Sequence, residues 1–241
     1  MNLTVVWHDV ECSGYREDVG LWRELAGALG PGEAVLDVGA GTGRVTLDLA
    51  ARGVPVVALD ADADLLAELQ RRADGLPVET VCADARAFAL PGRRFGLIIV
   101  PMQTLQLLDG PVGRAHFLRR AREHVAPGGL VAAALADALD SFDGELDGTP
   151  EPDRAEIDGV QYTSRPLAVV DEGGRAAIHR LREIIGPDGA RSESHDVIRL
   201  DRVDERQVAA EAREFGFRAL PARRIPATEV YVGSTVVLLG A

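Results

Sequence analysis

Lysine is absent from all 241 residues, and every one of the 26 basic residues is Arg. There is therefore no P-loop lysine, no Schiff-base lysine and no Tyr–Lys catalytic pair. Cysteine is nearly absent too. Cys12 and Cys82 stand far apart, which is neither a disulfide framework nor a metal cluster, and a reducing, cytoplasmic setting is expected. No apolar run reaches the roughly 18–20 residues of a membrane span. The opening run MNLTVVWHDVECSGY has no basic start and no apolar centre, so no secretory signal is expected. Aromatic residues make up only 5% of the chain. The core then falls to Ala, Val and Leu, as in helices packed on a parallel sheet. Positive charge is in deficit, with a formal net charge of −12. A surface that grips a phosphate backbone is basic, so neither nucleic acid nor an anionic membrane is an expected partner; a small RNA on a local patch stays open.

What is present is 46% hydrophobic residues, enough for one sizeable core in a single domain over residues 1–241. An N-terminal helical segment is expected within residues 1–33. There Asp18 caps a helix with Leu21, Trp22, Leu25 and Leu29 on one face, stopped at Gly30-Pro31. Ala34–Val38 reads as a strand, Arg44–Arg52 as a helix with Val45, Leu49 and Ala50 inward, and Val54–Leu59 as a second strand. Leu65, Leu66 and Leu69 mark another helix. Val78–Cys82 and Phe95–Val100 read as strands, Val112–Val125 as a helix ended by Pro127-Gly128-Gly129, and Leu130–Ala136 as a fifth strand. Alternation of this kind means βαβ units and a parallel sheet with helices on both faces.

The pattern changes after Ala136. Residues 139–159 are rich in Asp, Glu, Gly and Pro and read as loop. Val160–Val170, Ala176–Ile185 and Ser192–Leu200 read as strands joined by short turns, an antiparallel meander. A β insert, or cap, is thus expected over 139–200, between the fifth strand and the last helix. Asp204–Phe215 is that helix, and strands near Phe217–Ile225 and Thr235–Leu239 close the chain. The expected fold is α/β: a Rossmann-like, seven-stranded, mostly parallel sheet with helices on both faces, plus this insert.

The first strand runs into the turn Asp37-Val38-Gly39-Ala40-Gly41-Thr42-Gly43-Arg44. Glycines allow positive φ and let a ligand press on the backbone. A dinucleotide fingerprint is Gly-x-Gly-x-x-Gly. Here Arg44 stands where that third Gly would fall, and Asp37 precedes the turn, where a carboxylate repels a pyrophosphate but suits an amino group and a sulfonium. The second strand ends at Asp60, where an acid about 20 residues past the turn can accept ribose hydroxyls. The third ends in Cys82-Ala83-Asp84-Ala85. Asp84 fits an adenine contact and also a turn cap, and Asp37 equally fits bonds to turn amides.

Together the runs VLDVGAGTGRVTLDLA, ALDAD, CADARAF, FGLIIVPMQTLQLL and HVAPGGLV resemble the class I S-adenosylmethionine-dependent methyltransferases of small-molecule type, over residues 15–136. The terminal strand pair resembles that family's reversed β hairpin. The resemblance implies S-adenosyl-L-methionine as cofactor. It implies Gly39, Ala40, Gly41 and Gly43 at the methionine part, Asp60 and Ala61 at the ribose, and Asp84 and Ala85 at the adenine. Pro101 and Met102 adjoin the same site, and Gln103 faces the transferable methyl. The Asn/Asp-Pro-Pro-aromatic run of amide and exocyclic-amine methylating members is missing. No metal is expected, since the nearest acid, Asp109, lies beyond Leu105–Leu108 and a hard cation wants several oxygens. Tyr15 fits either a contact with the cofactor carboxylate or core packing, and Trp22 reads as core.

Candidate bases are His8, His116, His179 and His195, with Glu11 another; His116, His8 and Gln103 are the candidate catalytic residues. His124 reads as a helix C-terminal residue complementing the dipole. In the insert, Tyr162 and Arg165 are the candidate acceptor contacts, and Arg165 equally fits an ion pair with Asp196 or Asp201. The acceptor atom is unreadable, because methyl transfer from a sulfonium needs alignment more than a triad. Two rivals stand beside this reading: a nicotinamide-dependent oxidoreductase or epimerase, and a non-catalytic cofactor-binding protein. An RNA methyltransferase is a third. The oligomeric state is open, a homodimer included.

Overall fold

The computed structural model describes residues 2–136, 140–147 and 150–241. Its main sheet has seven strands: β1 (Val35–Val38), β2 (Val56–Asp60), β3 (Val78–Cys82), β4 (Phe95–Val100), β5 (Val125–Ala136), β11 (Arg218–Ile225) and β12 (Ser234–Gly240). Their order is β11-β12-β5-β4-β1-β2-β3. The five central and outer strands from β5 to β3 run parallel, while β12 pairs antiparallel with both β5 and β11. This is the Rossmann-like sheet with a terminal hairpin that the strand pattern implies.

Period-two alternation sends neighbouring residues to opposite faces. Leu36, Val38, Val57 and Leu59 face Phe117 and Leu118 of α5 (Gly110–His124) and Val208 of α6 (Glu205–Arg213). Val35, Val56, Leu97 and Ile99 face the other way, against Trp22 of α2 (Val19–Gly27) and Leu49 of α3 (Thr46–Ala50). α4 (Ala63–Arg72) starts at Asp62, whose carboxylate caps the amides of Asp64 and Leu65.

A second, antiparallel sheet covers one end of the first. It comprises β6 (Phe142–Asp143), β7 (Asp153–Ile157), β8 (Val160–Asp171), β9 (Arg175–Ile185) and β10 (Arg191–Asp201). β6 and β7 lie in the stretch expected to be loop. Their acids and glycines obscure any alternation, and pairing with β8 is what makes them strands. Leu139, where the insert was expected to begin, lies outside the described residues.

Two local expectations are corrected and a third is refined. Asp18 precedes α2 but makes no cap bond; its carboxylate accepts from Trp22 Nε1 (2.8 Å) and from both Arg44 terminal nitrogens (2.5 and 2.7 Å). His124 does end α5, as expected, but its ring is turned into neighbouring structure. It is buried and stacked on Phe88, with Nε2 accepting from the Leu90 amide (3.3 Å) and Nδ1 donating to the Arg93 carbonyl (3.1 Å). Arg165 pairs with neither acid proposed for it, because Asp196 is held by Arg182 (3.2 Å) and Asp201 by Arg114 (3.0 Å) and Arg175 (3.1 Å).

The N-terminal helical segment expected over residues 1–33 contains, ahead of α2, a further helix, α1 (Leu3–Cys12). Asn2 caps it through Thr4, and Val6, Trp7 and Val10 pack on Tyr162 of β8. The 3–4 spacing of Leu3, Val6, Trp7 and Val10 behind an Asn is the signal for it. Among the described residues no helix is long and apolar enough to cross a membrane.

Candidate active site

A cavity of about 470 Å³ lies beyond the C-terminal ends of β1, β2 and β4, roofed by α1 and the second sheet. Crevices at this edge are the ordinary ligand sites of doubly wound sheets, and this volume suits a small molecule. From the sheet come Asp37, Gly39, Ala40, Asp60, Ala61, Asp84, Ala85, Pro101, Met102, Gln103 and Thr104; from α1 come His8, Glu11 and Cys12; from the second sheet come Ile178, Arg180, Ile198 and Leu200.

The glycine turn explains its own composition. Gly39 (φ 75°) and Gly41 (φ 54°) take the left-handed region. A Cβ on Gly39 would strike the Thr104 side chain, and one on Gly41 would strike the His8 ring. The amides of Gly39 and Ala40 donate to the Leu59 carbonyl, at 2.8 and 3.1 Å, which pins the turn to the end of β2. Gly41 donates to Asp60 Oδ2 (2.8 Å), while Asp60 Oδ1 accepts from the Asp62 amide (2.9 Å). Each Asp60 oxygen keeps a lone pair for a ligand hydroxyl. Gly41 and Gly43 themselves shape the turn from behind the lining.

Asp37 is buried, and its Oδ2 accepts from Thr46 Oγ1 (2.6 Å). Its Oδ1 has no partner. Burial pushes this carboxyl up to about 6, against the pull of the Thr46 hydrogen bond. A buried acid with one oxygen unsatisfied beside a cavity is matched by a cationic ligand group. Arg44, at the position that excludes a dinucleotide fingerprint, is a structural clamp: it is buried, donates to Asp18 and to the Tyr15 carbonyl (3.0 Å), and also borders the cavity.

Asp84 lines the cavity but is also heavily engaged. It accepts from the Arg86 amide (2.7 Å) and from the Arg86 side chain (2.7 and 3.0 Å), so the turn-capping role is present whatever else it does. Arg86 continues to Asp109 (2.5 Å).

His8, alone of the five histidines, borders the cavity. The Thr42 hydroxyl spends its single proton on Asp9 Oδ1 (2.6 Å), so its oxygen accepts from His8 Nδ1 (3.2 Å). The lone pair is then on His8 Nε2. Arg72 holds Asp9 in place. His116 is exposed on α5, and His179 and His195 sit on β9 and β10, all outside the lining.

Tyr15 lies outside the lining as well. Its ring packs edge-on against Tyr231 (5.2 Å between centroids) and under the Arg44 guanidinium. Tyr162 is buried edge-on against Trp7 (5.6 Å). Neither it nor Arg165 reaches the cavity; the second sheet's contribution comes instead from β9 and β10. Glu11, a secondary candidate in the sequence, proves well placed. It accepts from Ser164 Oγ (2.7 Å) and, in a two-point pair, from Arg182 (2.7 and 2.8 Å). Burial by itself raises its pKa, but these hydrogen bonds outweigh that and hold it below the ordinary range.

A glycine turn, a strand-end acid and a buried acid converge on one capped crevice, the arrangement that resembles the class I S-adenosylmethionine-dependent methyltransferases. Residues 35–129 match the model of a family described as a methyltransferase domain. Over 117 residues it is 35% identical to a demethylmenaquinone methyltransferase of Beutenbergia cavernae, covering 47% of this chain and 46% of the relative. The chain thus spans about half the length of the curated relatives it matches. The fold is shared along almost the whole chain with DesVI of Streptomyces venezuelae (TM-score 0.75, 18% identity, 98% of both chains). It is shared equally with S-adenosylmethionine-bound CalS10 of Micromonospora echinaspora, described as an amino pentose methyltransferase (TM-score 0.75, 19% identity, 99% and 97% of the two chains). S-adenosylmethionine is the cofactor of the class.

Proposed function

We propose that this protein transfers the methyl group of S-adenosylmethionine, without a metal, to an amino group on a small glycosidic acceptor. The observation that carries this reading is the continuity of one cavity, which runs from the glycine turn and Asp60 to Ile178 and Ile198 of the second sheet. A cofactor and an acceptor can therefore meet inside it. The amino pentose acceptor named for CalS10, whose likeness extends over the second sheet, supports the choice of acceptor class.

Bound there, the cofactor supplies a methyl carbon already activated by a sulfonium. The protein's part is alignment and exclusion of water. Asp37 would hold the cofactor's ammonium, Asp60 its ribose hydroxyls, and Asp84 with Ala85 its adenine edge. Pro101, Met102 and Gln103 border the reacting centre. Ile178, Ile198 and Leu200 close the acceptor side against water. His8, which borders the cavity and is held by Thr42 and Asp9, takes the proton that the newly methylated ammonium gives up.

The test is a panel of small amino-sugar glycosides, phenols, carboxylic acids and thiols with methyl-labelled cofactor. Label on an amino sugar, retained in excess chelator, is the expected result. Transfer only to another class refutes the acceptor, and activity restored by Mg²⁺ refutes the metal-free route.

A further inference from the structure

The acceptor side of the cavity holds a charged pair that is almost fully satisfied within the protein. Glu11 comes from α1 and Arg180 from β9, and both line the cavity. Their side chains are only 8% and 14% exposed. Arg180 Nε donates to Ser164 Oγ (2.9 Å) and lies 3.6 Å from Glu11 Oε1, and its Nη2 is bound by Asp153. Nη1 has no partner among the described residues and is not buried away from solvent. Glu11 Oε1 takes Ser164 and Arg182 Nε, but Oε2 takes Arg182 Nη2 alone. Arg180 therefore retains unbonded N–H donors on Nη1, and Glu11 an acceptor lone pair on Oε2.

We infer that Glu11 and Arg180 form a specificity-determining pair that binds a neutral hydroxyl of the acceptor, one residue receiving its proton and the other donating to its oxygen. The inference rests on the methyltransferase reading above and names what the acceptor presents at this wall. Charge decides between ligand chemistries. The two arginines, 180 and 182, already face Glu11, Asp153 and Asp196. No net positive charge remains to attract an anion, and a carboxylate would also meet Glu11. An ammonium would leave Arg180 unmatched. A hydroxyl both donates and accepts, so it satisfies both residues. A site built to bond a hydroxyl discriminates sharply against analogues lacking it, because its buried groups are then left unpaired.

The test uses ligand-observed NMR titration on protein saturated with S-adenosylhomocysteine, with methyl glucoside, methyl 2-deoxyglucoside and glucuronate as probes. Methyl glucoside is expected to bind at least fivefold more tightly than glucuronate. Arg180→Gln and Glu11→Ala should each weaken it at least fivefold while S-adenosylhomocysteine affinity stays within twofold. Arg180→Lys, which keeps a donor and the charge, should recover part of the loss. Glucuronate binding more tightly, glucoside binding unchanged in both variants, or no glucoside binding to the loaded protein would each overturn the inference. Failure of the wild-type protein to bind S-adenosylhomocysteine would instead overturn the cofactor reading, which the variants do not test.

Discussion

The two walls of the cavity are built by different means. The sheet-side wall is made of backbone: positive-φ glycines, amides pinned to the Leu59 carbonyl, and two acids within a few residues of a strand end. The roof is held by side chains that meet across the chain: Glu11 of α1 binds Arg182 and Ser164 of the second sheet, and Asp201 at the end of β10 is tied to Arg114 of α5, which also binds Glu211 of α6. The first wall needs a short stretch of sequence and, in the proposed reading, holds the cofactor. The second needs residues more than 80 positions apart and is free to vary with the acceptor. In the proposed reading, acceptor specificity therefore lies on the wall held by long-range ion pairs.

The largest effect is expected from breaking the roof's anchor. Arg114 is buried and donates to Asp201 at the end of β10 and to Glu211 of α6. Removing one partner of a buried pair costs about 3–5 kcal/mol. For a chain of this size that is a fall of about 6–20 °C in melting temperature for Arg114→Ala. A scanning-calorimetry shift under 2 °C, a threshold set at about the lowest value per kcal/mol, would show that the roof is held by other means.

On the sheet side, Asp60→Ala removes the acceptor for two backbone amides and, in the proposed reading, two charge-assisted ligand bonds worth about 1.5–3 kcal/mol each. Affinity for S-adenosylhomocysteine should fall at least ~10-fold by calorimetry. Unchanged affinity in a normally folded variant would remove Asp60 from the cofactor site.

A smaller, pH-dependent effect separates Asp37 from its surroundings. Its carboxyl titrates near 6 in the folded chain and near 3.8 in the unfolded one. Between those values the folded state binds the extra proton, so this group's contribution to stability is full below 3.8 and is lost as pH rises through about 6. The melting difference between Asp37→Asn and wild type should therefore shift in favour of the variant from pH 4 to pH 8. Binding of S-adenosylhomocysteine should tighten over the same rise in the wild type, as the ionised carboxylate meets the ligand ammonium, and not in the variant. Parallel pH profiles for the two proteins would refute both statements.

The smallest effect is expected from Arg165→Ala. Arg165 lies off the cavity and has no ion pair among the described residues, so neither cofactor affinity nor acceptor binding should change. A raised acceptor KM would return this residue to the acceptor wall.

The legible and illegible parts of the site divide along the same line. Gly39, Ala40, Asp60 and Asp84 could be placed at one edge because a strand, a tight turn and a helix follow one another locally, and parallel connections bring strand ends together. Tyr162 attracted notice as a distinctive side chain on the insert, yet its side of the β8 pleat faces Trp7 and the core. One residue of register decides between wall and core, and composition carries no register. Ile178, Ile198 and Leu200 carry no chemical signal at all; only pairing of β9 with β10 puts them on the cavity.

Composition and local pattern by themselves determined the parallel sheet, the turn that excludes a dinucleotide and the acids at the strand ends, because each depends on residues within about one βαβ unit of one another. Only the tertiary structure decided that α1 lies over the glycine turn, that His8 rather than His116 borders the cavity, and that Arg180 and Glu11 meet across 169 positions of chain. Those contacts depend on how distant surfaces pack and how charges pair once water is displaced. The chain has 26 Arg and 38 acidic residues, and a linear sequence does not say which of them meet.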